Sequence, residues 1–179
     1  VSYIESPTNA GYYLASVSDK TYMTKYDGGM NMFNGMSSQL IFLKDALDRL
    51  GVNVQLIRHG KYKSAGEMYI RNSSSKENME QNEAMIRSMW ESWSTEIAQS
   101  RDITVDELNS MLNDLELNFP SDFLENGLVD ELLSREELQQ KLADLYVTDS
   151  YKKVNSISLA DYATIKDVPN LKATNKVAV

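Results

Sequence analysis

The residues best suited to chemistry lie in "QLIRHGKYKSAGEMYIR", Gln55 to Arg71. An alternating apolar run, "VNVQLI", ends there in Arg58, His59, Lys61 and Lys63, although the 179-residue chain is acidic, with a formal net charge of -8. A lysine after a strand is ordinarily a solvated cation. It becomes a general base only when its surroundings destabilise the ammonium, so that a neutral amine can accept a proton. Lys61 and Lys63 stand at i and i+2. In an extended stretch both project to one side, and in a turn they diverge, so spacing alone does not choose between them.

Most other chemistry is excluded or reads as structure. The chain has no cysteine, which rules out disulfides and thiolate metal sites but does not fix the compartment. His59 is the single histidine, cannot make a histidine-rich metal site, and reads as a turn residue. "DGGMNMFNG" lacks both the Lys-Ser/Thr of a phosphate loop and the dinucleotide spacing, and reads as a loop needing positive φ. Trp90 and Trp93 read as core or interface packing. Glu125, Asp130 and Glu131 in "LENGLVDEL" could pair as carboxylates, but a solvated face is the simpler reading. A pI near 4.7 argues against nucleic acid as a partner and gives no support for an anionic membrane surface. No apolar run approaches the roughly 18 residues that would span a bilayer.

The elements that must position Lys61 and Lys63 follow from periodicity and punctuation. "VSYIE" predicts a strand, "SPTNAG" a turn, "AGYYLASVS" a short helix and "TYMTKY" a second strand. Leu40, Leu43, Leu47 and Leu50 share one helical face, with Gly51 as the stop, and "VNVQLIR" predicts the next strand, which together suit a βαβ unit. Ser74 and Glu77 have the spacing of a capping box at the head of a long helix carrying Ile86, Met89 or Trp90, Trp93 and Ile97. Thr104 with Glu107 repeats it for a helix bearing Leu108, Met111, Leu112 and Leu115, and Ser134 with Glu137 repeats it before "LQQKLADLY". The expected organisation is an α/β portion over residues 1–73, a helical portion over 74–147, and a connector over 148–179 that ends in "NKVAV", a strand just beginning. With no initiator Met or basic leader before "VSYIE", both ends read as cut from a longer protein.

Gly60, Tyr62, Lys63, Ser64, Ala65, Glu67, Ile70 and Arg71 form an ordered set after a strand ending in Arg. With "YYLAS" at Tyr12 to Ser16, "KDALDRLGV" and "ENGLVDEL", this resembles the bacterial signal peptide peptidase A (protease IV) family over nearly the whole chain. The resemblance implies a crotonase/Clp-protease-like α/β half-domain of βαβ units, followed by a helical segment. It implies a serine endopeptidase with a Ser-Lys dyad that needs no cofactor or metal, in which Lys63 matches the general base. The nucleophilic serine of that family belongs to a second half. The matching turn here is "TNAGYY", where Asn9 occupies the nucleophile position and cannot serve as one. The further implications are released signal peptides as substrates, a homotetramer, and an inner-membrane enzyme whose soluble part faces the periplasm. The chain would then supply the base and part of the scaffold, and the missing second half the serine. Two rivals remain: a non-catalytic oligomerisation domain, and an acyl-CoA enzyme of the crotonase superfamily, from which the Tyr-Lys-Ser-Ala set points away.

Overall fold

The computed structural model describes residues 1–164 of the chain; the expected "NKVAV" strand lies outside them. The protein is mixed α/β and divides into two compact units, Val1–Ser134 and the residues from Arg135 onward. The first unit is built on a three-stranded parallel sheet, ordered β1 (Ser2–Ile4), β2 (Thr21–Thr24), β3 (Glu131–Leu133). Tyr3 pairs with Tyr22, and Met23 with Leu132. All four residues of β2 are buried, as a central strand requires.

A parallel pair needs a crossover, and α1 (Asn9–Ala15) supplies it between β1 and β2. Thr8 caps α1, accepting from Gly11 N at 3.0 Å. One face of α1 enters the core through Tyr12, which is fully buried. Its ring lies 4.5 Å from Phe33 and 6.2 Å from Phe123, and its hydroxyl donates to Leu128 O at 2.5 Å. Ile4, Ala15, Met23, Ile97, Leu108, Leu117, Leu128 and Val129 complete the cluster.

The long helix α4 (Lys76–Arg101) enters this core only near its C-terminal end, at Ser94, Ile97 and Ala98. Trp90 packs against the core and donates to Asn109 Oδ1 at 2.9 Å, while Trp93 stacks on Tyr13 at 4.8 Å. Both tryptophans therefore serve packing within the chain. The next helix, α5 (Val105–Asn113), has the expected capping box: Glu107 N donates to Thr104 Oγ1, and Thr104 N to the Glu107 carboxylate. Leu108 is buried, but Leu115 lies beyond the helix and is exposed. α6 (Pro120–Glu125) begins on a proline, with Asp122 accepting from the amides of Asn118 and Phe119. In the second unit α7 (Arg135–Leu145) follows Ser134 directly, and a 3-10 turn (Tyr151–Lys153) and α8 (Leu159–Thr164) lie where a connector was expected.

Several sequence expectations are corrected. The leucine face over 40–50 forms only α2 (Lys44–Arg49), which buries none of its residues; Leu50 is well exposed. "VNVQLIR" pairs with no strand among the described residues, so the expected second βαβ unit is absent. Its place at the edge of β2 is taken by β3, from the segment read as an acidic face. The cap of α4 is Ser75 rather than Ser74, accepting from Asn78 N at 3.2 Å. The positive φ expected of the glycine-rich loop is found at Gly35, with φ +82°, whereas Gly29 is required by close approach, since a Cβ there would stand 2.3 Å from Glu5 O.

Asn9 also has a structural task. It occupies the first turn of α1, where its Nδ2 donates to Gly35 O at 2.6 Å and its Oδ1 accepts from the amides of Asn34 and Gly35. The side chain thus ties the glycine-rich loop to α1.

Asp130 is the other anchor. It accepts from Lys20 Nζ at 2.7 Å, Thr21 N at 2.9 Å and Arg101 Nη1 at 3.2 Å, joining β2, α4 and the chain entering β3. Partial burial works to raise its pKa, but the hydrogen bonds from Lys20, Thr21 N and Arg101 and the Lys20 charge outweigh it and hold the carboxyl at about 2, against an ordinary 3.8. A carboxyl depressed on folding contributes stability that is complete above its unfolded pKa and lost as pH falls towards about 2. Asp130→Asn should therefore lower the melting temperature at pH 7 and flatten its decline between about pH 4 and 2. Thermal melts followed by circular dichroism decide this, and parallel curves for the two proteins would show that the cluster contributes nothing. Asn9→Ala should cost about 1–2 kcal/mol in urea denaturation, and an unchanged midpoint would contradict the anchoring role.

Candidate active site

The turn that carries the lysines is fixed by its own backbone. Gly60 has φ +99°, a conformation that a β-carbon would strain, and Lys63 N donates to Gly60 O at 3.3 Å. The chain therefore turns between Lys61 and Lys63. The Lys61 ammonium lies 4.7 Å from the centre of the Tyr62 ring. Its contact with the Tyr62 side chain raises its pKa and keeps it cationic, the wrong direction for a base.

Lys63 is exposed and lines a cleft of about 1080 Å³, as does His59; Lys61 is not part of that lining. Apolar walls come from Leu40, Phe42, Leu56, Ile57 and Met85. A second cleft of about 710 Å³ shares Leu40, Phe42 and Asn82 with the first and runs on along α4 to Trp90. The turn is laid on α4 by two long hydrogen bonds, Tyr62 Oη to Glu80 at 3.4 Å and Ser64 Oγ to Gln81 at 3.3 Å.

A stronger link runs through Glu67, the first residue of the one-turn helix α3 (Glu67–Ile70). Its side chain is 1% exposed. Arg58 Nη1 donates to Glu67 Oε1 at 2.9 Å and to Lys63 O at 3.3 Å. Ser75 N, at the cap of α4, donates to Glu67 Oε2 at 3.0 Å. Burial works to raise the Glu67 pKa, but the hydrogen bonds from Ser75 and the Arg58 guanidinium prevail and hold it at about 2.

Of the residues singled out from sequence, the structure brings Lys63 and His59 to one cleft. Asn9 is committed to the Gly35 loop, and Asp130 to its ion cluster rather than to a solvated face. Arg58 and Glu67 were given no role from the sequence. The signal was there, since opposite charges nine residues apart flank a glycine turn, but nothing local shows that Glu67 is buried.

The chain is 29% identical over 188 residues to Protease 4 of Haemophilus influenzae, an alignment covering all of this chain and 30% of that protein. It is 26% identical over 171 residues to Protease 4 of Salmonella typhi, covering 89% of this chain and 27% of that protein. It is 22% identical over 166 residues to the chloroplastic serine protease SPPA of Arabidopsis thaliana, covering 93% of this chain and 24% of that protein. The chain thus spans less than a third of the length of these relatives. The model of peptidase family S49 matches residues 1–148, and the chain belongs to that family.

Proposed function

We propose that this chain is the base-bearing part of a serine endopeptidase working through a Ser-Lys dyad, with Lys63 as the general base. The observation that carries the reading is the position of Lys63 on an apolar-walled cleft, within the ordered Tyr-Lys-Ser-Ala set of an S49 peptidase. In this reading the neutral Lys63 amine takes the proton of a serine hydroxyl as that oxygen attacks a peptide carbonyl. The proton passes to the leaving amine, which departs and leaves an acyl-enzyme. Lys63 then draws a proton from the water that attacks the ester and returns it to the serine oxygen as the carboxylic acid product leaves. Serine and oxyanion donors come from a second, crotonase-like half that completes the site, since Asn9 is no nucleophile. The apolar walls suit peptides with apolar segments, such as released signal peptides. Assembly as a homotetramer at the periplasmic face of the bacterial inner membrane belongs to the same reading; among the described residues no helix is long and apolar enough to cross a membrane.

One observation favours a second reading. Lys63 is exposed, and among the described residues none ion-pairs with its ammonium or closes over it. A non-catalytic scaffold would tolerate that. The two readings separate on one measurement in the full-length protein. Lys63→Met keeps the apolar stem and removes the proton acceptor, and should lower peptidase kcat by about 10²- to 10⁴-fold with an unchanged circular dichroism spectrum. Lys61→Met should leave activity nearly unchanged. Folded and active Lys63→Met and Lys61→Met enzymes would favour the scaffold reading, and a dead Lys61→Met beside a live Lys63→Met would transfer the role to Lys61.

A further inference from the structure

We propose that Arg58 and Glu67 act as a positioning clamp for Lys63, a role that rests on the reading of Lys63 as general base and extends it. Lys63 sits on a turn with little apolar anchorage. Among the described residues, no apolar side chain between Phe33 and Ile97 is fully buried. The buried side chains in that stretch are polar: Glu67, Ser75, Asn78 and Ser94. Besides the Tyr62 and Ser64 bonds to α4, what holds the turn is a chain of directed contacts. The Lys63 carbonyl accepts from Arg58, Arg58 pairs with Glu67, and Glu67 accepts from Ser75 N at the cap of a 26-residue helix.

The chemistry of the clamp suits a base. A carboxylate set against the lysine ammonium would favour its charged form and spoil it as a proton acceptor. Here the buried carboxylate is taken up by a guanidinium and a backbone amide. Lys63 is held through its carbonyl oxygen, which leaves Nζ uncommitted to the clamp. Position matters because a general base must come within hydrogen-bond reach of the proton it takes, and a displacement of about 1 Å costs about 100-fold in rate. The Gly60 turn allows the chain to reverse, and the clamp selects where the reversal stops.

The test uses the full-length protein and reads kcat and KM separately. Glu67→Gln and Arg58→Met should each lower kcat by about 10- to 100-fold, with KM held within about twofold and the fold intact by circular dichroism. Arg58→Lys keeps a cation against Glu67 and should recover part of the kcat lost in Arg58→Met. Folded Glu67→Gln or Arg58→Met with wild-type kcat would overturn the clamp, as would a loss confined to KM. If Glu67→Gln fails to fold, Arg58→Met decides the matter by the same criterion, because its side chain is 34% exposed. Lys63→Met keeps the two levels apart. If it is inactive while the clamp variants are fully active, the dyad stands and the clamp falls. If it is fully active, the dyad reading fails and takes the clamp with it.

Discussion

The long helix α4 is held by a carboxylate at each end, and the arrangement of the first unit depends on those two attachments. At about 1.5 Å per residue the helix is about 39 Å long. At its N-terminus Glu67 receives the Ser75 amide and places negative charge at the positive end of the helix dipole. At its C-terminus Arg101 reaches Asp130, which also receives Lys20 and Thr21. Between these points the helix contributes apolar burial only from Trp90 onward; Met79, Met85 and Met89 are exposed. One attachment ties the helix to the turn carrying Lys63, and the other ties it to the sheet.

This divides the labour between two kinds of force. The sheet, α1, α5 and α6 are gathered by burial, which is strong but non-directional. Tyr12, Phe33 and Phe123 show how much of it is aromatic packing. The segment from Gly35 to Met89 is held by hydrogen bonds and ion pairs instead. Each is worth little net in water, but each fixes a distance and an angle. Asn9 joins the two regimes, since it belongs to a helix of the core and grips Gly35, where the polar segment begins.

How much was legible in the sequence follows the same division. β1, α1, β2 and α5 could be read because their signals are local: β-branched and aromatic content, turn punctuation, a capping box. Those same signals misled over 40–58. A leucine face states that burial is sought, but not what will cover it, and α2 finds only partial cover, with Leu43 and Leu47 half-buried. β3 was missed because three residues carry almost no period, and its partner β2 lies about a hundred residues away in sequence. The shift from Ser74 to Ser75 at the head of α4 is decided by Glu67, a tertiary contact. For the site, the motif picked out Lys63, and burial, which single-sequence patterns do not report, picked out Glu67.

The run from Val52 to Arg58 keeps its strand-forming composition without a ladder, and Ile57 is 99% exposed. A stretch of that kind is adhesive towards other backbones. Its one charge, Arg58, stands at the end of the run, so the apolar part has no charged gatekeeper within it. Colloidal behaviour then rests on the net charge of -8, which keeps copies of the chain apart. Salt shortens the reach of that repulsion to about 8 Å at physiological strength. The exposed part of this strand-like run is thus set against a diffuse negative field, and ionic strength shifts the balance.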